Sequence, residues 1–215
     1  MKIKIASLWQ LISKLKSIDE KGIVAVEFTL IVPVIIAMYF GLATLSSAMM
    51  MTRKINLISR AVADLASQQP ANTSLTDNTL DQISAAAQAI FYPNNPTNLK
   101  ILVSEIIIYN QGGLKARTEF SVSIGPSAIN QRNCGQLAQT ANGTIFSVGT
   151  FPIGLYTPGA YVEAHVKYNW APSFATNIMP AGGFTLQAVN YMRPRQTAHF
   201  SYTGNKPSSK CTGPY

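Results

Sequence analysis

Apolar residues run almost unbroken from Ile23 to Met51, and the 24 residues from Phe28 to Met51 carry no charge. At about 1.5 Å of rise per residue this is about 36 Å of helix, against a hydrocarbon core about 30 Å thick. The segment is therefore predicted to cross a bilayer with some tilt. Pro33 and Gly41 interrupt the run, which membrane helices tolerate better than soluble ones. A buried core helix is the alternative, but such helices seldom run this long without a polar face. Beyond Met51 the pattern becomes one-sided. Ile55, Ile58, Val62 and Leu65/Ala66 recur at helical spacing, and no Gly or Pro falls before Pro70. One long helix from about Ile23 to Gln68 is expected, its second half packed on a folded head.

The rest of the chain alternates helix and strand signals. Pro70 to Asn78 reads as a loop, followed by a helix with Leu80, Ile83, Ala87 and Ile90 on one face, ending before Pro93. Leu99 to Tyr109 and Lys115 to Ile124 read as a β-hairpin turning at Gln111-Gly112-Gly113, with Phe120, Val122 and Ile124 inside. Gly125 to Gly159 is rich in Pro, Gly and Asn and reads mostly as loop. Tyr161 to Trp170 alternates again, with Tyr161, Glu163, His165 and Lys167 on one, polar face, where His165 is expected to be exposed, and Val162, Ala164, Val166 and Tyr168 on the other; Phe184 to Arg193 is a last strand candidate. The expected fold class is α+β: a long N-terminal helix packed on a small antiparallel sheet of about four strands, with one further helix.

Charge sets the expected orientation. Residues 1–22 hold five lysines against Asp19 and Glu20, a net of +3. A basic segment ahead of a span favours a cytoplasmic N-terminus, because long C-terminal domains translocate largely regardless of charge. Arg53, Lys54 and Arg60 beyond the span weaken that bias without reversing it. The chain carries +8 overall, but its six arginines and eleven lysines are scattered, Arg193 and Arg195 being the one tight pair far from the span. No basic cluster sits on a recognition element, so nucleic acid is not an expected partner; attraction to anionic lipid is.

Glu27 is the unusual residue, a carboxylate at the mouth of an apolar helix, where an ionisable group invites a partner. Were the chain cut after Gly22, the new amine at Ile23 would lie one turn from Glu27 or from the Glu27 of a neighbouring copy. The alternative places Glu27 among lipid headgroups, where it needs none. The string Gly22-Ile-Val-Ala-Val-Glu27-Phe28 resembles the cleavage site of type IV prepilins. Extended through Pro33, Phe40 and Gly41 to Leu42, it resembles the TadE-like family of the tight-adherence (Flp) pilus machinery, with Val26-Glu27-Phe28, a proline six residues after the glutamate and a Phe-Gly further on. Ser59 to Gln69, Tyr168 with Pro172, and Arg193-Pro194-Arg195 are similar to later segments of that family. The resemblance implies a leader-peptidase site at Gly22 and Ile23, amine pairing during assembly at Glu27 and Phe28, and helix packing at Pro33, Ala37 and Gly41. It implies as partners a prepilin peptidase, other pilins, pilus-assembly platform proteins and inner-membrane lipid. The expected organisation is a basic, cleaved leader over 1–22, a transmembrane helix over 23–51, its continuation over 52–69, and an extracytoplasmic α+β domain over 70–215. An uncleaved, signal-anchored envelope protein with a periplasmic binding domain is the competing reading, and the amphipathic set Leu8, Trp9, Leu11, Ile12 and Leu15 would give its leader a place on the inner leaflet.

Cys134 and Cys211 both fall in the exported part, where an oxidising compartment favours a disulfide; two separate thiols are the alternative. Neither has a companion at metal-ligand spacing, so no metal or other cofactor is expected. His165 and His199 are the only candidate neutral-pH bases. No nucleophile elbow, metalloprotease helix or phosphate-cradling loop is present. Asp77 and Asp81 fit helix capping and dipole roles better than catalysis. An enzyme is not expected.

Overall fold

The computed structural model describes residues 20–70, 73–110, 114–136, 138–139, 150–151, 157–172, 183–196, 198–199 and 201–211. Contacts divide the chain into two compact units, residues 1–47 and 48–215. Helix α1 (Glu20–Ser67) contributes to both. Within the first unit its apolar side chains stand exposed, Val24, Phe28, Leu30, Tyr39 and Leu42 each by more than 60%. Three of its hydroxyls, on Thr29, Thr44 and Ser47, each donate to the carbonyl four residues back. That arrangement suits a helix with no water to bond to.

In the second unit α1 is one-sided. Met51, Ile55, Ile58, Val62, Ala63 and Ala66 are buried, while Leu65, placed on that face by the sequence, is 37% exposed and leaves the stripe to Ala66. Helix α2 (Asp77–Phe91) buries Leu80, Ile83, Ser84, Ala87 and Phe91. Thr76, not an aspartate, caps it, accepting from the Thr79 backbone N–H. A 3₁₀ turn (Pro96–Asn98) then leads into the sheet.

The sheet is antiparallel and built on four long or medium strands, β1 (Leu99–Asn110), β2 (Leu114–Ser123), β6 (Gly159–Trp170) and β7 (Phe184–Met192). Two short strands extend it at β2, β3 (Gly135–Gln136) and β8 (Ser208–Lys210), giving the order β3-β2-β1-β6-β7 with β8 also on β2. A separate two-stranded pair, β4 (Ala138–Gln139) and β5 (Thr150–Phe151), lies in the region read as loop. The proposed turn residues 111–113 fall outside the described residues, but β1 and β2 pair as the hairpin requires, Asn110 opposite Leu114.

One face of the sheet meets the helices. Leu99, Ile101 and Val103 of β1, Phe120 and Val122 of β2, Val162, Ala164 and Val166 of β6, and Ala188 of β7 form one core with the α1 stripe and α2. Phe91 seats edge-on against Tyr168, ring centroids 4.8 Å apart. Buried Ser59 pins α1 to the sheet, donating to Ala164 O at 2.8 Å and accepting from Asn190 Nδ2 at 3.0 Å. A β-bulge between Glu105 and Ile106 pairs Glu105 with Phe120 but Ile106 with Thr118, so that Glu119 is the extra residue. It moves the earlier part of β2 to the opposite face. Ala116 there joins Ile106, Ile108 and Tyr161 in a second, smaller core. Gly183, at φ +66°, is required where β7 begins, since a Cβ would lie 2.2 Å from Trp170 O.

The C-terminal segment is a strap. Leu75 and Tyr202 form a parallel bridge, Leu75 N–H donating to Ser201 O and Thr203 N–H to Leu75 O. The Asp77 carboxylate accepts from Tyr202 OH and from the backbone N–H of Asn205 and Lys206, while Lys206 Nζ pairs with Asp81 at 2.7 Å. These bonds, the Asn205 N–H first, hold Asp77 below the usual carboxylate pKa. Cys211 N–H donates to Glu119 O, and Cys211 is joined to Cys134 with Cα atoms 5.2 Å apart. Gly204 lets the strap pass close, because a Cβ there would lie 2.0 Å from Asp77 Oδ1. Gly204→Ala is expected to cost about 1–3 kcal/mol by overpacking, read as a lower thermal midpoint of the intact, disulfide-bonded chain. Gly41→Ala, with nothing within 4 Å of its Cβ, is expected to leave that midpoint unchanged.

Candidate functional site

The sequence-predicted site residues lie along α1. Gly22, Ile23, Glu27, Phe28, Pro33, Ala37 and Gly41 are all within the helix. Glu27 and Phe28 are exposed, as are Pro33, Ala37 and Gly41. From Glu27 to Pro33 is six residues, and from Pro33 to Gly41 eight, or about 9 and 12 Å along the axis. None of the most apolar stretch is buried inside the chain, and the helix is long and apolar enough to cross a membrane. Among the described residues Ala37 and Gly41 are exposed, and nothing lies within 4 Å of a Cβ placed at Gly41.

Polar chemistry in the head is concentrated where the sequence reading put solvent. Glu163 and His165, assigned to a polar strand face, are both fully buried. The face cannot be wet, because Arg132 from the loop after β2 lies on it with no accessible surface and its Nε donates to Glu163 Oε2 at 2.7 Å. Arg132 N–H donates to Ser121 Oγ at 3.0 Å, and Ser121 shares a 2.8 Å hydrogen bond with Ser104. The register aligns these groups: Ser104 faces Ser121 on one side and Glu163 on the other, and Leu102 faces His165. Burial pushes the Glu163 carboxyl up, to about 6, while the Arg132 guanidinium pulls it back toward the ionised form. Burial, with the charge of Lys167, drives His165 down to about 3, so it is a neutral imidazole at physiological pH.

This cluster has the makings of a structural pair rather than a catalytic one. A general base has to reach a substrate proton, and neither Glu163 nor His165 is exposed. The sequence hint was a single acid on a strand with a lone arginine two residues before Cys134; only the disulfide-bonded loop brings them together. His199 lies elsewhere, lining an open cleft of about 380 Å³ with Ile107, Arg117, Gly159, Ala160 and Ala198. The Arg193–Arg195 pair is committed to structure. Arg193 bonds Tyr161 OH, Thr157 Oγ1 and Pro158 O and lies over the Tyr161 ring, while Arg195 pairs with Asp64 and its N–H donates to Ser67 O. Among the described residues no three His, Cys, Asp or Glu side chains gather as a metal site.

Two outcomes follow from the buried pair. Arg132→Met leaves a buried carboxylate and is expected to cost about 3–5 kcal/mol, whereas Arg132→Met with Glu163→Leu should recover most of it; denaturant titration of the full chain distinguishes them. For His165 the folded pKa lies below the unfolded 6.5, so the unfolded state binds the proton first. Stability should fall as pH drops from 6.5 toward 3, by at most about 1.4 kcal/mol per pH unit. Glu163, raised on folding, acts in the opposite sense below pH 6. The difference between wild type and His165→Gln isolates the histidine, and identical pH profiles would rule it out.

Comparison with known proteins identifies the N-terminal region. The family model described as TadE-like protein matches residues 22–64, the region whose motif resembles that family. The match covers 43 of the 215 residues, so the likeness is to this N-terminal region alone. No curated protein matches the chain, and no solved structure does.

Proposed function

We propose, taking the TadE-like match as premise, that this chain is a minor pilin (pseudopilin) that takes part in assembling a tight-adherence, Flp-type pilus at the bacterial inner membrane. One observation carries the reading: residues 22–64 match the family, and they hold Gly22, Glu27, Phe28, Pro33 and Gly41 on one helix whose apolar stretch from Val24 is largely exposed among the described residues. The N-terminus faces the cytoplasm and residues 70–215 lie in the periplasm. A prepilin peptidase cuts between Gly22 and Ile23, releasing the basic leader 1–22. The freed amine is neutralised by Glu27 of a neighbouring subunit, an attraction larger in lipid than in water. Pro33, Ala37 and Gly41 let helices approach closely, and the head meets other pilins or the assembly platform. The Cys134–Cys211 disulfide keeps the head's C-terminal strap in place in the oxidising periplasm.

Support comes from the exposure of Glu27 and from the open space around Gly41 among the described residues. Mass spectrometry of the membrane-extracted protein is expected to find a chain starting at Ile23 when the peptidase is active and at Met1 when it is deleted. An intact leader in both strains would sink the processing step in favour of a signal-anchored protein. Glu27→Ala should abolish pilus assembly yet insert at least as well, since removing a carboxylate from the membrane relieves up to about 3 kcal/mol.

A further inference from the structure

The outer edge of β2 is filled by two separate pieces of chain. β3, two residues long, pairs with Arg117 and Thr118, and β8, three residues long, pairs with Phe120, Ser121 and Val122. Both converge on the bulge residue Glu119. Gly135 stands opposite Thr118 and Cys134 precedes it; Lys210 stands opposite Phe120 and Cys211 follows it. Cys211 N–H donates to Glu119 O at 3.0 Å, and the Cys134–Cys211 disulfide joins the two pieces at that point. Pieces this short carry few ladder bonds, so whatever holds their ends decides whether they stay paired.

The two pieces are anchored differently. On the β3 side the loop has a second hold, because buried Arg132 donates to Ser121 Oγ through its backbone N–H and to Glu163 Oε2 through Nε. On the β8 side the next hold back along the chain is the Asp77 carboxylate, which accepts from Tyr202 OH and from the N–H groups of Asn205 and Lys206. Beyond Lys206 the strap rests on the pairing of β8 with β2, on Ser123 N–H donating to Pro207 O, and on the disulfide. Cys134 is exposed and Cys211 half-buried. Thiol–disulfide exchange requires a thiolate to reach one of the sulfurs, and accessible disulfides are the exchangeable ones.

We propose that the Cys134–Cys211 disulfide is a redox gate on the outer edge of β2, opened by a dithiol reductant that attacks at Cys134 and frees residues 207–211 alone. Neither the membrane anchor nor the pilus role is needed for it. The incoming thiolate bonds to Cys134 Sγ, the disulfide breaks, and its electron pair leaves with Cys211 Sγ, which takes a proton from water. The reductant's second thiolate then displaces Cys134, so the reductant ends as a disulfide and both cysteines end as thiols. Arg132 keeps its loop in place, the Asp77 carboxylate keeps residues 202–206 in place, and β8 swings out from Pro207. The backbone from Phe120 to Val122 is then open along its outer edge, the form of edge to which an extended segment of another polypeptide adds.

The test compares the full-length chain, oxidised or treated with dithiothreitol, by amide hydrogen exchange. Reduction is expected to speed exchange at residues 208–211 and at Ser123 by about tenfold or more, with Thr203, Asn205, Lys206 and Arg132 unchanged. Asp77→Ala in the oxidised chain should do the reverse, loosening residues 203–206 while Cys211 stays protected. Brief treatment with glutathione, with iodoacetamide present to trap the released thiol, is expected to place glutathione on Cys134 and the alkyl group on Cys211, read by peptide mass mapping. Exchange that rises equally at residues 203–206 and at Arg132 on reduction overturns the gate, since the disulfide then holds the whole head. Unchanged exchange at 208–211 overturns it as well, as does glutathione found on Cys211. Two free thiols in chain purified from an oxidising compartment remove the gate altogether.

Discussion

The apolar stripe Met51–Ile55–Ile58–Val62–Ala66 is the contact on which the head depends. Without it, Leu99, Ile101, Val103, Val162, Ala164 and Val166 would face water on a sheet of four main strands. Burying aliphatic side chains contributes about 1.5–3 kcal/mol each. Ser59 makes the fit specific, because its hydroxyl is buried and has to find Ala164 O and Asn190. Sliding α1 by one turn would strand that hydroxyl among aliphatic groups. One helix is thus read by two environments: apolar all round before Met51, apolar on one side afterwards.

The second face of the sheet is solved differently. It carries polar groups in its centre, Ser104, Ser121, Glu163 and His165, and a loop arginine lies over them. A buried arginine–glutamate pair contributes little net stability, since desolvation offsets most of the attraction, but losing either partner is costly. It fixes the loop after β2, and with it Cys134, two residues on, at the place where Cys211 arrives. The strap, the disulfide and the buried pair therefore form one connected device at the β2 side of the sheet.

Much of the outline was legible because periodicity and exclusion are local. The long helix, the second helix, the β1–β2 hairpin and strands near 161–170 and 184–192 follow from spacing of apolar residues and from Pro and Gly placement. Even the two faces of β2 were half visible, Phe120 and Val122 being inside as read; the bulge at Glu119 that turns Ala116 to the other face leaves no mark in the alternation. The motif from Gly22 to Gly41 was legible for another reason: it is contiguous, so no folding is needed to assemble it.

What the sequence determined by itself, then, is what neighbours along the chain decide: a helix too apolar for water, a charge-free span, a motif with fixed spacing and an α+β order of elements. What only the tertiary structure decided is what distant residues share. Glu163 and His165 alternate as an exposed face would, and they are buried because Arg132 lies on them. Asp77 reads as a cap, and it holds residues 202–206 because the strap returns to α2. Lys100 and Lys167 look scattered, and they stand opposite each other because β1 and β6 pair across 67 positions of sequence. Burial and charge depend on distances through space, which a one-dimensional pattern does not contain.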